Sequence, residues 1–397
     1  MNRDNLSALV MAIAVVSVIA GFAIYFNTQS SYISSKSTSN KFIPITGQID
    51  ENGIPITGQI DENGTLINID KSQFKKAKDF TKISEYINTK PISFDDVLKD
   101  KVVLVDFWTY SCINCIRTIP HLNEWYDKYS DKGLVIVGIH TPEFDFEKNS
   151  DNVKSAVQKF GIKYPVLQDN DKEIWNEYEN RYWPRKYLVD DEGYIRYDHI
   201  GEGAYQETEK VIQALLSERA THLGIKSINL NNIQKSNNGS KFEYHDVNFS
   251  KIQSRELYFG YELARTPLGN NESFKPNQSV LYILPKNTAI KPNLIYLEGK
   301  WKNNPDNMEL QSNNGSIILK YNSKSVNIVA GGNGNFTVKQ DRNLIKNDLS
   351  KDSSSDGKFM IDGERLYNLV TNKEYGEHTI EIDVKGKGFQ IYTFTFG

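Results

Sequence analysis

Apolar and polar residues change rhythm several times along this chain, and each change marks an element. Val102-Val103-Leu104-Val105 is an unbroken apolar run, mostly β-branched, the pattern of a strand covered on both faces. Beyond it the period lengthens: Ile116, Ile119, Leu122, Trp125 and Tyr126 recur at helical spacing. A buried strand therefore runs straight into a helix, with the turn near Cys112 to Cys115. Leu134 to Ile139 reads as a second buried strand after the turn residue Gly133. Asn152 to Phe160 reads as a helix ended by Gly161, and Tyr164 to Leu167 as a short strand. Ile174, Trp175 and Tyr178 fit one face of another helix. Lys186 to Val189 and Tyr194 to Tyr197 are strands joined at Asp191-Glu192-Gly193, and Glu207 to Leu216 is an amphipathic helix. Strands alternating with helices predict an α/β domain, a central sheet with helices on both faces.

The second half has a different rhythm. Thr221 to Phe249 is rich in Asn and Ser and reads as a connector. From about Lys251 the pattern becomes all-β. Val280 to Leu284, Ile317 to Tyr321, Val326 to Ala330 and Phe336 to Lys339 are short strands, separated by turn signals such as Asn314-Gly315 and Asn333-Gly334. His378, Ile380, Ile382 and Val384 alternate with Thr379, Glu381 and Asp383, so one face is buried and one wet. Phe389 to Phe396 closes the domain. Many short strands with regular turns predict a β-sandwich.

Before both domains, Leu6 to Phe26 is an uncharged, nearly unbroken apolar run, long enough to cross a hydrocarbon core of about 30 Å as a helix. A cleaved signal peptide is the rival. Its apolar region is usually about 7–15 residues and is followed by a small-residue cleavage site, whereas Tyr25-Phe26-Asn27 follows here. An uncleaved anchor is the expectation, with residues 1–5 inside and the bulk of the protein outside. Residues 27–76 form a linker. Within it Ile43 to Gly53 recurs as Ile54 to Gly64, each copy ending in Asn-Gly. Two short copies cannot build a solenoid core, so they read as a duplicated stalk. As a flexible chain this linker spans on the order of 40 Å. The expected organisation is thus an anchor at 6–26, the linker to 76, an α/β domain at 77–220, a connector at 221–250 and a β domain at 251–397.

Composition adds two limits. The net charge is −3, with no long basic block, which gives no case for nucleic acid. The chain has only 2 cysteines, Cys112 and Cys115, separated by Ile113 and Asn114. A helix start presents unpaired N–H groups and a partial positive charge, which favour a thiolate over a thiol. Such sites bring a cysteine pKa from about 8.5 to roughly 7 or below. Cys112 is expected to be the exposed attacking sulfur and Cys115 the shielded resolving one. A structural disulfide over so short a loop removes little chain entropy. A zinc site needs about four ligands, and only scattered His121 and His140 are on offer, so no metal is expected. The strand-to-helix setting argues for redox chemistry. Asp106 is the one acid in the buried strand, where burial should raise its pKa. Glu143, just past the second buried strand, stands where open α/β sheets place their sites.

The stretch Trp108-Thr109-Tyr110-Ser111-Cys112-Ile113-Asn114-Cys115, with Arg117-Thr118-Ile119-Pro120, resembles the active site of the thioredoxin fold. More specifically it resembles the extracytoplasmic part of the DipZ family of thiol–disulfide oxidoreductases. That resemblance continues through Val137 to Phe144 and Asn180-Arg181-Tyr182-Trp183-Pro184 and reaches the C-terminus. The long stretch from Leu134 to Trp183 is similar to TlpA-like and peroxiredoxin-like branches of the fold. The resemblance implies that Asp106 takes the proton from Cys115, that Glu143 tunes thiol acidity, and that Trp183-Pro184 is a cis bond facing the cysteines. It also implies that Pro184 pairs a substrate chain and blocks metal capture, and that Trp108 and Tyr110 wall the site. For the second half it implies a carbohydrate-binding-module-like jelly roll. Tyr258, Tyr261 and Trp301 are candidates to stack on a glycan there, against an ordinary role as core aromatics.

Together these readings predict a membrane-anchored, outward-facing thiol–disulfide oxidoreductase with no cofactor beyond the Cys112–Cys115 redox pair. Its partners would be disulfide-bearing or dithiol proteins. DipZ proteins carry a multi-span electron-importing domain; with one span here, electrons would arrive from a separate membrane protein. Resemblance favours the reducing direction. One alternative is a thiol peroxidase. Peroxiredoxins need a proline and a threonine before the reactive cysteine; Thr109 matches, but Val105 stands where the proline belongs. Another is a surface carbohydrate-binding protein with a vestigial redox domain, against which the intact cysteine pair, Asp106 and Pro184 all count.

Overall fold

A computed structural model describes residues 71–225, 247–285, 289–346 and 349–397. The expected anchor at 6–26, the tandem repeat and most of the linker lie outside the described residues. Among the described residues no helix is long and apolar enough to cross a membrane.

The first domain is built on a mixed six-stranded sheet. Its elements run β1 (Glu85–Ile87), α1 (Phe94–Leu98), β2 (Val102–Trp108), α2 (Ile113–Tyr129), β3 (Leu134–His140), α3 (Ser150–Lys159), β4 (Val166–Gln168), α4 (Glu173–Glu177), β5 (Arg185–Val189), β6 (Ile195–Ile200) and α5 (Tyr205–His222). The strand order is β1-β4-β3-β2-β5-β6. β2 pairs parallel with β3 and antiparallel with β5, which leaves it central and buried along its whole length. Its alternate side chains feed two cores. Val102, Leu104 and Trp108 join Ile116, Ile119, Leu122 and Leu215 on one face. Val103, Val105 and Phe107 join Val137, Ile139, Ile174 and Tyr187 on the other. This two-sided burial is why the apolar run has no alternation.

The packed region begins earlier than the expected boundary at residue 77. Phe74 is buried, and Lys71 reaches Asp190 at 2.9 Å, Glu218 at 3.1 Å and Glu192. Pro120 sits inside α2, and Gly133 takes a φ of +107° at the turn into β3.

The second domain is all-β and antiparallel. It comprises β7 (Leu257–Tyr258), β8 (Ser279–Tyr282), β9 (Ile295–Asn303), β10 (Met308–Leu310), β11 (Asn314–Gly332), β12 (Asn335–Gln340), β13 (Asn343–Leu344), β14 (Lys358–Met360), β15 (Arg365–Lys385) and β16 (Phe389–Phe396). The two strands expected at 317–321 and 326–330 are one, β11. The polar stretch Asn322-Ser323-Lys324-Ser325 that lies between them is absorbed by a register shift between Ser323 and Ser325. The first half of β11 pairs with β9 and its second half with β16, while β15 follows it throughout. Asn314-Gly315 likewise opens β11 instead of turning, whereas Asn333-Gly334 does link β11 to β12. Residues from every one of these strands except β13 close one core around Trp301, Tyr321, Ile328, Tyr367 and Phe389.

The two domains meet at the loop after β3. Phe144 is buried against Tyr258, Val329 and Tyr392 of the second domain. Phe146 stacks on Phe144 and meets the Tyr392 ring edge-on at 4.7 Å between centroids. The amide of Asp145 donates to Asp306 at 3.1 Å, and the Tyr110 hydroxyl to the Glu364 carbonyl at 3.3 Å. This aromatic contact places the second domain directly over the end of the sheet that carries the cysteines.

Candidate active site

β2 ends at Trp108, and four residues later Cys112 caps the N-terminus of α2. Its sulfur accepts the amide hydrogen of Cys115 at 3.2 Å, the bond a capping side chain makes to one of a helix's unpaired donors. Both cysteines are free thiols; Cys112 is half-buried and Cys115 buried. The Cys115 thiol hydrogen-bonds the Cys112 sulfur, which lowers the acidity of Cys115 and raises that of Cys112. Burial pushes Cys115 well up, with the Cys112 sulfur and Asp106 adding to it. Cys112 is also pushed up, where the helix start alone predicts a depressed value. The reason is local: burial outweighs the helix start, and the carboxyls of Glu143 and Glu256 both disfavour a nearby negative charge.

Asp106 lies on β2 opposite Lys186 of β5, and each is almost wholly buried. Burial raises the Asp106 pKa to about 7, opposed by the Lys186 charge. Burial lowers Lys186 in turn, and its ammonium donates to the Gly201 carbonyl at 3.1 Å. Trp183-Pro184 is cis, as the resemblance implies, and leads into β5. Trp183 donates its indole N–H to the Thr141 carbonyl at 3.0 Å and packs on Trp175.

The proposed walls fare differently. Trp108 is 1% exposed, so it faces the core and cannot wall a substrate site. It lies beside Gly138, where a Cβ would come within 2.9 Å of its indole nitrogen, and edge-on to His140. Tyr110 is buried under the second domain and stacks on His140 at 5.8 Å. His140 contacts the Thr109 hydroxyl at 3.3 Å; burial takes its pKa down to about 3, so it stays neutral. His121 stacks on Tyr205, away from His140's partners. Among the three aromatics offered to a glycan, Trp301 is fully buried in the β core and Tyr258 sits at the domain boundary.

Residues that sequence reasoning missed complete the site. Glu147 is buried and braces the loops on both sides of it. It accepts from the Ser111 hydroxyl at 2.6 Å, from the Glu143 amide at 2.7 Å and from the Phe144 amide at 3.0 Å. The run Thr141-Pro142-Glu143-Phe144 drew attention to the loop, but nothing in spacing separates Glu147 from a surface acid. Glu143 receives a hydrogen bond at 2.6 Å from Tyr258, whose hydroxyl also lies 2.8 Å from Glu256. Enclosure of its carboxyl raises the pKa of Glu143 well up, and that of Glu256 moves up as well, although Glu256 as a residue is exposed. Arg117, in the first turns of α2, is held by Glu202 and Asn114, both at 2.7 Å. Beside it a cleft of about 670 Å³ runs between the domains, lined by Tyr110, Ile113, Arg117, Lys159, Asn327 and Glu364 among others.

A thiol pair at a strand-to-helix turn, a buried acid behind it and a cis-proline before the next strand define a thioredoxin-like redox site. Comparison agrees. A model of the AhpC/TSA family matches residues 74–198, and one described as the thioredoxin like C-terminal domain matches residues 254–397. The thiol-disulfide oxidoreductase ResA of Bacillus thuringiensis is 32% identical over 32% of this chain and 69% of its own length. YkuV of Bacillus subtilis, another thiol-disulfide oxidoreductase, is 28% identical over 32% of this chain and 85% of its own. The protein DipZ of Mycobacterium tuberculosis is 34% identical over 81% of this chain, both domains included. This chain spans 43% of the length of DipZ. The chain belongs to the thiol–disulfide oxidoreductases of the thioredoxin fold, and it resembles DipZ beyond the redox domain.

Proposed function

We propose that this chain reduces disulfides of partner proteins outside the cytoplasm, from a membrane anchor at residues 6–26, with electrons supplied by a separate membrane protein. One observation carries the chemistry: the Cys112 sulfur stands half-buried at the start of α2, with the Cys115 thiol directed at it from behind. Cys112 as thiolate attacks a substrate sulfur, forming a mixed disulfide and releasing one substrate thiolate. Cys115 then loses its proton and attacks Cys112, releasing the second thiolate and leaving an oxidised Cys112–Cys115 pair. Asp106, with a pKa raised to about 7, has the proton affinity suited to a base near neutrality and receives that proton. Pro184 and the part-exposed Trp183 border the approach of the substrate chain, and Glu143 adjusts the acidity of Cys112. The β domain is read as a sandwich of the carbohydrate-binding-module type. Of the three aromatics offered to a glycan, Tyr261 is the one not committed to a core or to the domain boundary.

The test is trapping. Cys115→Ala, expressed in the native host, should accumulate mixed disulfides with protein partners through Cys112, in a fraction that pellets with membranes. The purified chain should reduce insulin when supplied with dithiothreitol. Absence of both activities sinks the reductase reading; rapid turnover of hydrogen peroxide in their place would establish a thiol peroxidase.

A further inference from the structure

Tyr258 bridges two carboxyl groups from different domains. Its hydroxyl is 2.6 Å from Glu143, on the loop after β3, and 2.8 Å from Glu256, which directly precedes β7. A phenol carries one hydrogen. It can donate to one carboxylate only, so the second contact is a hydrogen bond only when the other carboxyl itself carries a proton and donates it to the phenol oxygen. Two ionised carboxylates around one hydroxyl would repel each other and leave one contact unmade, even though Glu143 is only half-buried and Glu256 keeps an exposed side. The geometry thus calls for one proton on the carboxyl pair.

We propose that Glu143, Tyr258 and Glu256 form a proton-sharing unit, assembled only when the two domains dock, that holds one proton beside Cys112 and passes it to the thiolate leaving the substrate. The inference rests on the reductase reading and adds the second domain to the reaction. The balance is simple. Cys112 thiolate and R–S–S–R′ give Cys112–S–S–R and R′–S⁻; the carboxyl proton converts R′–S⁻ to R′–SH, and the unit is left with two negative charges. No electron moves in the proton step. The unit then regains its proton from solvent.

The charged groups facing the unit fit this state. Both carboxyls are close enough to Cys112 to raise its pKa. Lys172, just before α4, faces Glu143 and favours its ionisation, while Glu147 on the same loop opposes it. Arg265 favours ionisation of Glu256 and lies 5.9 Å from the Tyr258 ring. Glu147 is itself occupied as acceptor by Ser111 and two amides, so it is not the proton carrier. One cation beside each carboxyl and one proton between them keep the pair from carrying its full charge.

The test reads Cys112 alone. In the full chain carrying Cys115→Ser, the rate of alkylation by iodoacetamide is followed from about pH 5 to pH 10, with and without Glu256→Gln. With the shared proton in place both chains carry one charge near Cys112 at about pH 6, and their rates should agree. By about pH 9 the parent has lost the shared proton and carries two charges, the variant one. The variant should then react roughly three- to tenfold faster, tenfold being the weight of one pKa unit. Glu256→Asp should restore the parent profile. Superimposable profiles for parent and Glu256→Gln, at equal Tm, overturn the proposal. A second measurement needs no variant: carbon-13 spectra of labelled glutamate carboxyls should show one titrating above about pH 7. Titration of every glutamate below about pH 5, the ordinary range, overturns it equally. Neither readout uses a substrate. Failure to reduce insulin while one glutamate still titrates above about pH 7 removes the reductase reading and leaves the shared proton standing, and insulin reduction with every glutamate titrating below about pH 5 removes the unit alone.

Discussion

Asp106 and Lys186 occupy opposed positions on β2 and β5, and neither reaches solvent. They are the acid and base of one buried pair placed behind the resolving cysteine: the Lys186 charge holds down Asp106, and Asp106 and Cys115 hold up Lys186. The Asp106 charge adds to the upward push that burial gives the Cys115 thiol.

Asp106→Asn should leave the first attack by Cys112 nearly intact and slow the release of mixed disulfide, since only release needs Cys115 deprotonated. Quenched-flow analysis of a trapped substrate separates the two steps. Equal slowing of both would remove Asp106 from its role as base.

The same substitution should change stability with pH in a defined direction. The Asp106 pKa is raised in the fold from 3.8 to about 7, so the folded state binds more protons than the unfolded chain between those values. Wild-type stability is therefore fully present below about pH 4 and is lost as pH rises through about 7. At ~1.4 kcal/mol per pH unit the loss is at most about 4 kcal/mol. Asp106→Asn should be more stable than wild type at pH 8 and lose that advantage at pH 4, as read by urea unfolding.

Lys186→Met removes the charge that favours ionised Asp106. Asp106 should then stay protonated to higher pH, and the pH profile for release of the mixed disulfide should move upward. A profile that does not move would mean the lysine acts only by packing.

Glu147→Ala should destabilise the domain by roughly 3 kcal/mol or more. It strands the amides of Glu143 and Phe144 and the Ser111 hydroxyl without their acceptor, and each buried unpaired group costs about 1–3 kcal/mol. A drop in Tm with slower alkylation of a misplaced Cys112 is the expected pair of results.

Phe144→Ala empties the centre of the domain contact and should cost about 3–5 kcal/mol. Loosened docking should also expose Cys112, so its pKa should fall towards the ordinary thiol value. Alkylation at neutral pH would then be faster than in wild type, despite the lost stability.

The sequence carried the redox domain well because its signals are local. The apolar run of β2, the helical spacing after Cys115 and the turn at Gly133 depend on neighbours a few residues away. Burial of Asp106 was legible for the same reason, as a single acid in an apolar strand. What stayed hidden depends on the second domain. Docking of Tyr258 and Tyr392 on Phe144 brings Glu256 close enough to add to the burial that raises Cys112, so the thiol moves opposite to what a bare helix start predicts. No pattern within either half encodes that contact. The resemblance placed Trp108 in a wall of the site; the parity of β2 sends its side chain into the core. The continuity of β11 was missed because a polar stretch in a long strand looks like a turn until its register shift is seen.

Lys71 is tied to Asp190 and Glu218, beyond the end of β5 that pairs with the start of β2. Cys112 lies beyond the other end of β2. Seven residues of strand, about 20 Å, separate the two. The chain thus enters the domain at the pole opposite the reactive sulfur. Any pull on the incoming segment is borne by an ionic clamp at that pole and not by the thiol turn.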